Sequence, residues 1–86
     1  MTGLALDEAD VRARLREFIC LEIIQDPSYP LQDGQPLVTG GLIDSVGLAY
    51  LGVFIESAFG VYLADTDLTP EYMDTVNQIA VRVLGS

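Results

Sequence analysis

The chain contains no histidine and no lysine, and it has a single cysteine. Each absence removes a class of chemistry. Without histidine there is no Ser-His pair for nucleophilic catalysis, and without lysine no substitute base stands in for it. Zinc sites built on histidine are excluded, and Cys20 alone cannot replace them. One cysteine also excludes an internal disulfide framework, and the composition suits a reducing cytoplasm. Residues 1–10 carry no basic region and turn acidic at once, so no signal peptide is expected. No alternating strand pattern, repeat or low-complexity tract occurs, and one domain over residues 1–86 is expected.

What is present is apolar and acidic. Half of the 86 residues are hydrophobic, enough for one core with roughly 60% of the surface buried on folding. Thirteen acids against four arginines set the net charge at −9. Such a surface repels nucleic acid and anionic membrane and favours partners with basic patches. Residues 45–64 form a stretch of bilayer length with Glu56 as its one charge. Yet Glu56 lies near its middle, Gly47, Gly52 and Gly60 interrupt it, and its flanks (Asp44, Asp65) are acidic with no arginine to set an orientation. A buried helix running into a short apolar segment is the better reading.

The patterning predicts helices. Asp7 is placed as an N-cap, Leu6 and Val11 are spaced for a hydrophobic staple, and Glu8 and Asp10 load the first turn with favourable negative charge. Val11, Leu15, Phe18, Ile19 and Ile23 then recur at helical spacing. Glu8–Arg12 and Asp10–Arg14 are acid-before-base pairs on a solvated face. Asp26-Pro27 ends this helix. Residues 27–43 read as a long ordered loop, with Leu31, Leu37, Val38, Leu42 and Ile43 available to pin it to the core. A second helix runs from about Asp44 or Ser45 to Phe59, with Gly60 as its stop and Ala49, Gly52, Ile55 and Phe59, flanked by Leu48 and Leu51, facing inward. Thr69-Pro70-Glu71 signals a short third helix, and Thr75 with Gln78 forms a capping box for a fourth that buries Val76, Ile79, Ala80 and Val83. The expected fold is all-α: a bundle of three main helices and one short one.

The most informative run is Gly40-Gly41-Leu42-Ile43-Asp44-Ser45-Val46-Gly47-Leu48. It places a serine hydroxyl at a helix start, where unpaired N–H groups and the positive end of the macrodipole suit a phosphate ester. A capping serine is the ordinary use of such a residue, and a capping carboxylate is the ordinary use of Asp44. The run resembles the attachment motif of acyl, aminoacyl and peptidyl carrier proteins, with Val46 in place of the leucine of an Asp-Ser-Leu core. The likeness continues through Phe59-Gly60-Val61-Tyr62-Leu63, the acidic turn Asp65-Thr66-Asp67, Leu68-Thr69-Pro70-Glu71 and Asp74-Thr75-Val76. It is similar to free-standing carriers served by an adenylating ligase.

The resemblance implies a four-helix carrier bundle that is not an enzyme. Ser45 would bear 4'-phosphopantetheine, and Asp44 would help position the metal ion and the serine during attachment. The implied partners are a phosphopantetheinyl transferase, an adenylating acyl or aminoacyl ligase and downstream acyl-processing enzymes, acting on a monomer in the cytoplasm, with no nucleic acid or membrane involved. The chain departs from carriers of fatty acid synthesis, which present acids where Tyr50, Ser57 and Ala58 stand here. Val46, Tyr50 and Val53, with Glu56 as the remaining acid, are therefore expected to form the partner surface. The competing reading is an acidic helical adaptor that binds a basic protein surface without a prosthetic group.

Other candidates have plainer readings. Asp65, Thr66 and Asp67 lack the further ligands of a calcium loop and read as a solvated turn. Cys20 reads as a small buried hydrophobe, and Arg12, Arg14 and Arg16 as a solvated helix face. Gly52, on the expected inward face, leaves either close helix packing or room for a sequestered acyl chain.

Overall fold

The computed structural model describes residues 7–85, which form an all-α bundle with no strand among them. Helix α1 (Glu8–Phe18) is followed by a π-helical extension (Ile19–Ile24), then α2 (Ser45–Phe59), the short α3 (Pro70–Met73) and α4 (Val76–Leu84). No helix among the described residues is long and apolar enough to cross a membrane.

Asp7 caps α1 by accepting the Ala9 N–H at 3.0 Å. Leu6, its expected staple partner, lies outside the described residues, as do the other residues before Asp7. Val11, Leu15 and Ile19 are fully buried against the core, with Phe18 and Ile23 half-buried beside it. The helix does not continue as α to Asp26. It widens into the π-helical extension, and Gln25 closes it at φ 62 with the N–H groups of Gln25 and Asp26 both donating to the Cys20 carbonyl. Apolar spacing marks the inward face of a helix but carries no information on an i→i+5 ladder, so the sequence does not show this change.

The long loop is ordered by its apolar side chains, as expected: Leu31, Leu37 and Ile43 are buried, and Val38 and Leu42 pack against the core. Polar contacts add to this. Asp33 pairs with Arg12 and Arg16 of α1, while its backbone carbonyl accepts the Asn77 N–H at the start of α4. Arg12 also pairs with Glu8, as its spacing predicts.

On α2 the buried residues are Gly47, Leu48, Leu51, Gly52 and Ile55. Ala49, expected to face inward, is exposed, and Phe59 is half-buried. The core face is therefore centred on Leu48, Leu51 and Ile55, because the leucines carry more apolar area than Ala49 and take the buried side. Gly52 is a close-packing site. A Cβ there would meet the Leu68 side chain at 3.1 and 3.2 Å, so Leu68 fills the space that the missing side chain leaves. Gly60, at φ 71, ends the helix and donates its N–H to Glu56.

Beyond α2 the chain turns at Asp65-Thr66-Asp67. Asp67 pairs with Arg82 of α4, whose guanidinium also lies 4.8 Å from the Tyr72 ring centroid. Thr69 occupies the N-cap position of α3 but makes no side-chain cap, and its hydroxyl is buried with no hydrogen-bond partner among the described residues. Thr75 and Gln78 complete both halves of the expected capping box. Val76, Ile79, Ala80 and Val83 are buried, and α4 packs alongside α1.

Candidate functional site

The start of α2 hangs from the start of α4. Leu37 donates its N–H to the Asp74 carbonyl at 2.6 Å, and the Asp74 carboxylate accepts the N–H groups of Val38 and Thr39 and the Thr39 hydroxyl, at 2.8, 3.0 and 2.6 Å. Partial burial pushes the Asp74 carboxyl up, but the Thr39 hydroxyl and these N–H groups outweigh that and hold it below the usual carboxylate range. The Leu37 carbonyl then accepts the N–H groups of Leu42 and Ile43 at 2.8 and 3.0 Å, closing a tight turn. Both glycines of that turn are required. A Cβ on Gly40 would stand 2.3 Å from the Pro36 carbonyl oxygen, and Gly41 sits at φ 82.

This turn delivers Asp44 in an extended conformation to the first turn of α2. Asp44 is the N-cap: its Oδ1 accepts the Gly47 N–H at 2.9 Å, and its backbone carbonyl accepts that of Leu48. Ser45 is therefore the first helical residue rather than the cap. It is exposed, its hydroxyl takes no part in the capping, and among the described residues the N–H groups of Ser45 and Val46 have no acceptor. A surface cleft of ≈ 600 Å³ opens beside it, bounded by Ile23, Val38, Leu42, Ile43, Asp44 and Ser45.

A phosphate ester on the Ser45 oxygen fits this environment. The unpaired N–H groups of Ser45 and Val46 and the positive end of a 15-residue helix favour negative charge there. Along the outer side of α2, Val46, Tyr50 and Val53 are 58, 63 and 68% exposed, and Glu56 is exposed as well.

Sequence reasoning missed Asp33, and it named Asp74 within a motif without seeing its anchoring role. Each reaches a partner far along the chain, and neither sits in a spacing pattern that would announce it. The remaining candidates are accounted for structurally. Cys20 is buried with its Sγ 3.7 Å from the Tyr29 carbonyl, and burial, followed by the charge of Asp26, pushes its thiol up, away from reactive thiolate chemistry. Among the described residues no cluster of Asp, Glu or Cys is arranged to hold a metal ion. No family model matches the chain and no curated protein is significantly similar to it, so the resemblance to carrier proteins rests on the motifs themselves.

Proposed function

We propose that this chain is a carrier protein, with 4'-phosphopantetheine attached to Ser45 and no catalytic activity of its own. The observation that carries the reading is the Ser45 hydroxyl: exposed, uncommitted to capping, and held at the first position of α2 by an aspartate that supplies the cap instead. When attached, the group supplies a terminal thiol that holds an acyl or aminoacyl cargo as a thioester.

The chain's part in attachment is to present a nucleophile. The Ser45 oxygen forms a bond to the pantetheine-bearing phosphorus of coenzyme A. The bond from that phosphorus to adenosine 3',5'-bisphosphate breaks, and the hydroxyl proton passes to a base of the transferase. Asp44 keeps one oxygen on the Gly47 N–H, which fixes the helix start, and leaves the other for a cation brought by the transferase. The N–H groups of Ser45 and Val46 would be available to the phosphate oxygens of the attached group. Presentation follows from tethering, which raises the effective concentration of cargo at each docked enzyme.

The partners this reading implies are the transferase, an adenylating ligase that loads the thiol, and enzymes that process the cargo, all in a reducing cytoplasm. Val46, Tyr50 and Val53, edged by Glu56, offer them an apolar contact with one phenolic hydroxyl. The net charge of −9 steers encounter from elsewhere on the surface.

Intact mass tests the proposal. Incubation with a phosphopantetheinyl transferase, magnesium and coenzyme A should add one phosphopantetheinyl increment to the protein and none to Ser45→Ala. The substitution should leave stability almost unchanged, because Asp44 retains the cap worth about 1 kcal/mol. An unmodified wild-type protein, or a labelled mutant, refutes the assignment. The first of these results is what the adaptor reading expects.

A further inference from the structure

A chain of hydrogen bonds runs from α4 to the start of α2. Its base is firm: Val76 and Ile79 are fully buried, and Gln78 closes the capping box with Thr75. The Gln78 side chain also grips what precedes α4. Its Oε1 accepts the Asp74 N–H at 2.9 Å, and its Nε2 donates to the Glu71 carbonyl of α3 at 3.4 Å. Asp74 is thus held through its N–H from the α4 side, while its carboxylate and carbonyl hold residues 37–39 on the other. Among the described residues, Asp74 supplies the only side-chain hydrogen bonds that residues 36–43 receive from elsewhere in the chain.

Little slack separates that anchor from the serine. The Leu37 carbonyl closes the turn on Leu42 and Ile43, so Asp44 is the single residue between the closed turn and α2. Leu37 and Ile43 are buried, which keeps the turn on the core. Apolar contact is non-directional, however, and sets the depth of the turn rather than its rotation. The bonds to Asp74 are directional and set the rotation. Asp74 takes no part in the cleft beside Ser45, so any effect it has on the serine travels through the turn.

We propose that Asp74 is a positioning residue for group attachment at Ser45: through residues 37–43 it sets where the serine oxygen stands when a transferase docks on α2. This rests on the carrier reading and adds to it a residue remote from the serine in sequence, with a stated step on which it acts. Val46, Tyr50 and Val53 lie on the outer side of α2 and touch neither Asp74 nor the turn's hydrogen bonds. Loss of Asp74 therefore spares docking and falls on the chemical step, where a nucleophile displaced by about 1 Å loses up to about a hundredfold in rate.

The test uses the full chain with a phosphopantetheinyl transferase, magnesium and coenzyme A. It follows the rate of mass gain and, in the unmodified protein, amide hydrogen exchange. Asp74→Ala should lower kcat for attachment by about ten- to a hundredfold, with KM for the chain within about twofold of wild type. It should also speed exchange of the Gly47 amide, which the Asp44 cap protects. Asp74→Asn keeps an acceptor for the Val38 and Thr39 N–H groups and should recover most of the rate. Thr39→Val removes only the hydroxyl's bond and should give an intermediate loss. Val83→Ala opens a cavity beneath α4 without touching this path, so it should lower stability and leave kcat unchanged. A raised KM at unchanged kcat, or an equal loss of kcat in Asp74→Ala and Val83→Ala, overturns the positioning role and leaves the carrier reading standing. If Asp74→Ala does not fold, Thr39→Val decides: a lowered kcat supports the role and an unchanged one overturns it. Absence of any mass gain in the wild-type chain overturns the carrier reading and this inference together.

Discussion

The two sides of the bundle are held by different forces. On the side of α1, the long loop and α4, polar contacts cross between elements: Asp33 to Arg12, Arg16 and Asn77, Asp74 to residues 37–39, and Asp67 to Arg82. No ion pair among the described residues involves α2, whose side-chain hydrogen bonding is confined to its Asp44 cap. It is held by Leu48, Leu51 and Ile55 beneath and by the Phe18–Phe54 stack at its flank. Directional polar contacts fix where the loop places Ser45, whereas non-directional apolar burial holds α2 and leaves its outer surface free of internal partners. The difference separates a frame fastened by polar contacts from a helix held by apolar packing.

The comparison can be broken most severely at Asp74. Asp74→Ala removes the acceptor for two N–H groups and one hydroxyl and should cost about 2–3 kcal/mol in chemical denaturation. The effect on pH has a definite sign. The folded carboxyl is held below its ordinary range, so its contribution is present above the unfolded value of about 3.9 and is lost as pH falls through the lower folded value. Asp74→Asn should lack that acid-dependent loss, and an acid unfolding profile identical to the wild type would remove Asp74 from the frame.

Gly52→Val probes the apolar side. The added branches must displace Leu68, and overpacking of this kind should cost about 1–3 kcal/mol. A stabilised variant would show that Leu68 is loosely held and that the α2 side has room to spare.

Asp44→Ala should cost about 1 kcal/mol through the lost cap. It should also slow attachment of the arm by much more than that change in stability explains. Equal transferase rates for wild type and variant would confine Asp44 to capping.

The smallest effect on stability belongs to the outer surface. Tyr50→Ala and Val53→Ala should each change the unfolding free energy by no more than about 0.5 kcal/mol, since both side chains are largely exposed. Each should nevertheless slow loading by the cognate ligase, while added salt lowers the association rate and spares most of the affinity. Normal loading in both variants, together with loss of loading on changing Glu56 or Asp65, would move the docking contact from apolar to charged residues.

Much of this molecule follows from local rules that act within a few residues. The caps at Asp7 and Thr75, the stop at Gly60 and the buried faces of α1 and α4 obey helix-end chemistry and a 3.6-residue period, so they are legible without knowing what lies across the core. The candidate serine is legible for the same reason, since a helix start can be read from its flanking residues. What only the tertiary structure decided depends on neighbours distant in sequence. Asp44 rather than Ser45 takes the cap because the turn at residues 37–43, hung on Asp74, sets its backbone extended. Leu48 and Leu51 rather than Ala49 face the core, and Leu68 fills the space at Gly52. The π-helical extension likewise belongs to the folded chain, because an i→i+5 ladder leaves no periodic trace of its own in an apolar run.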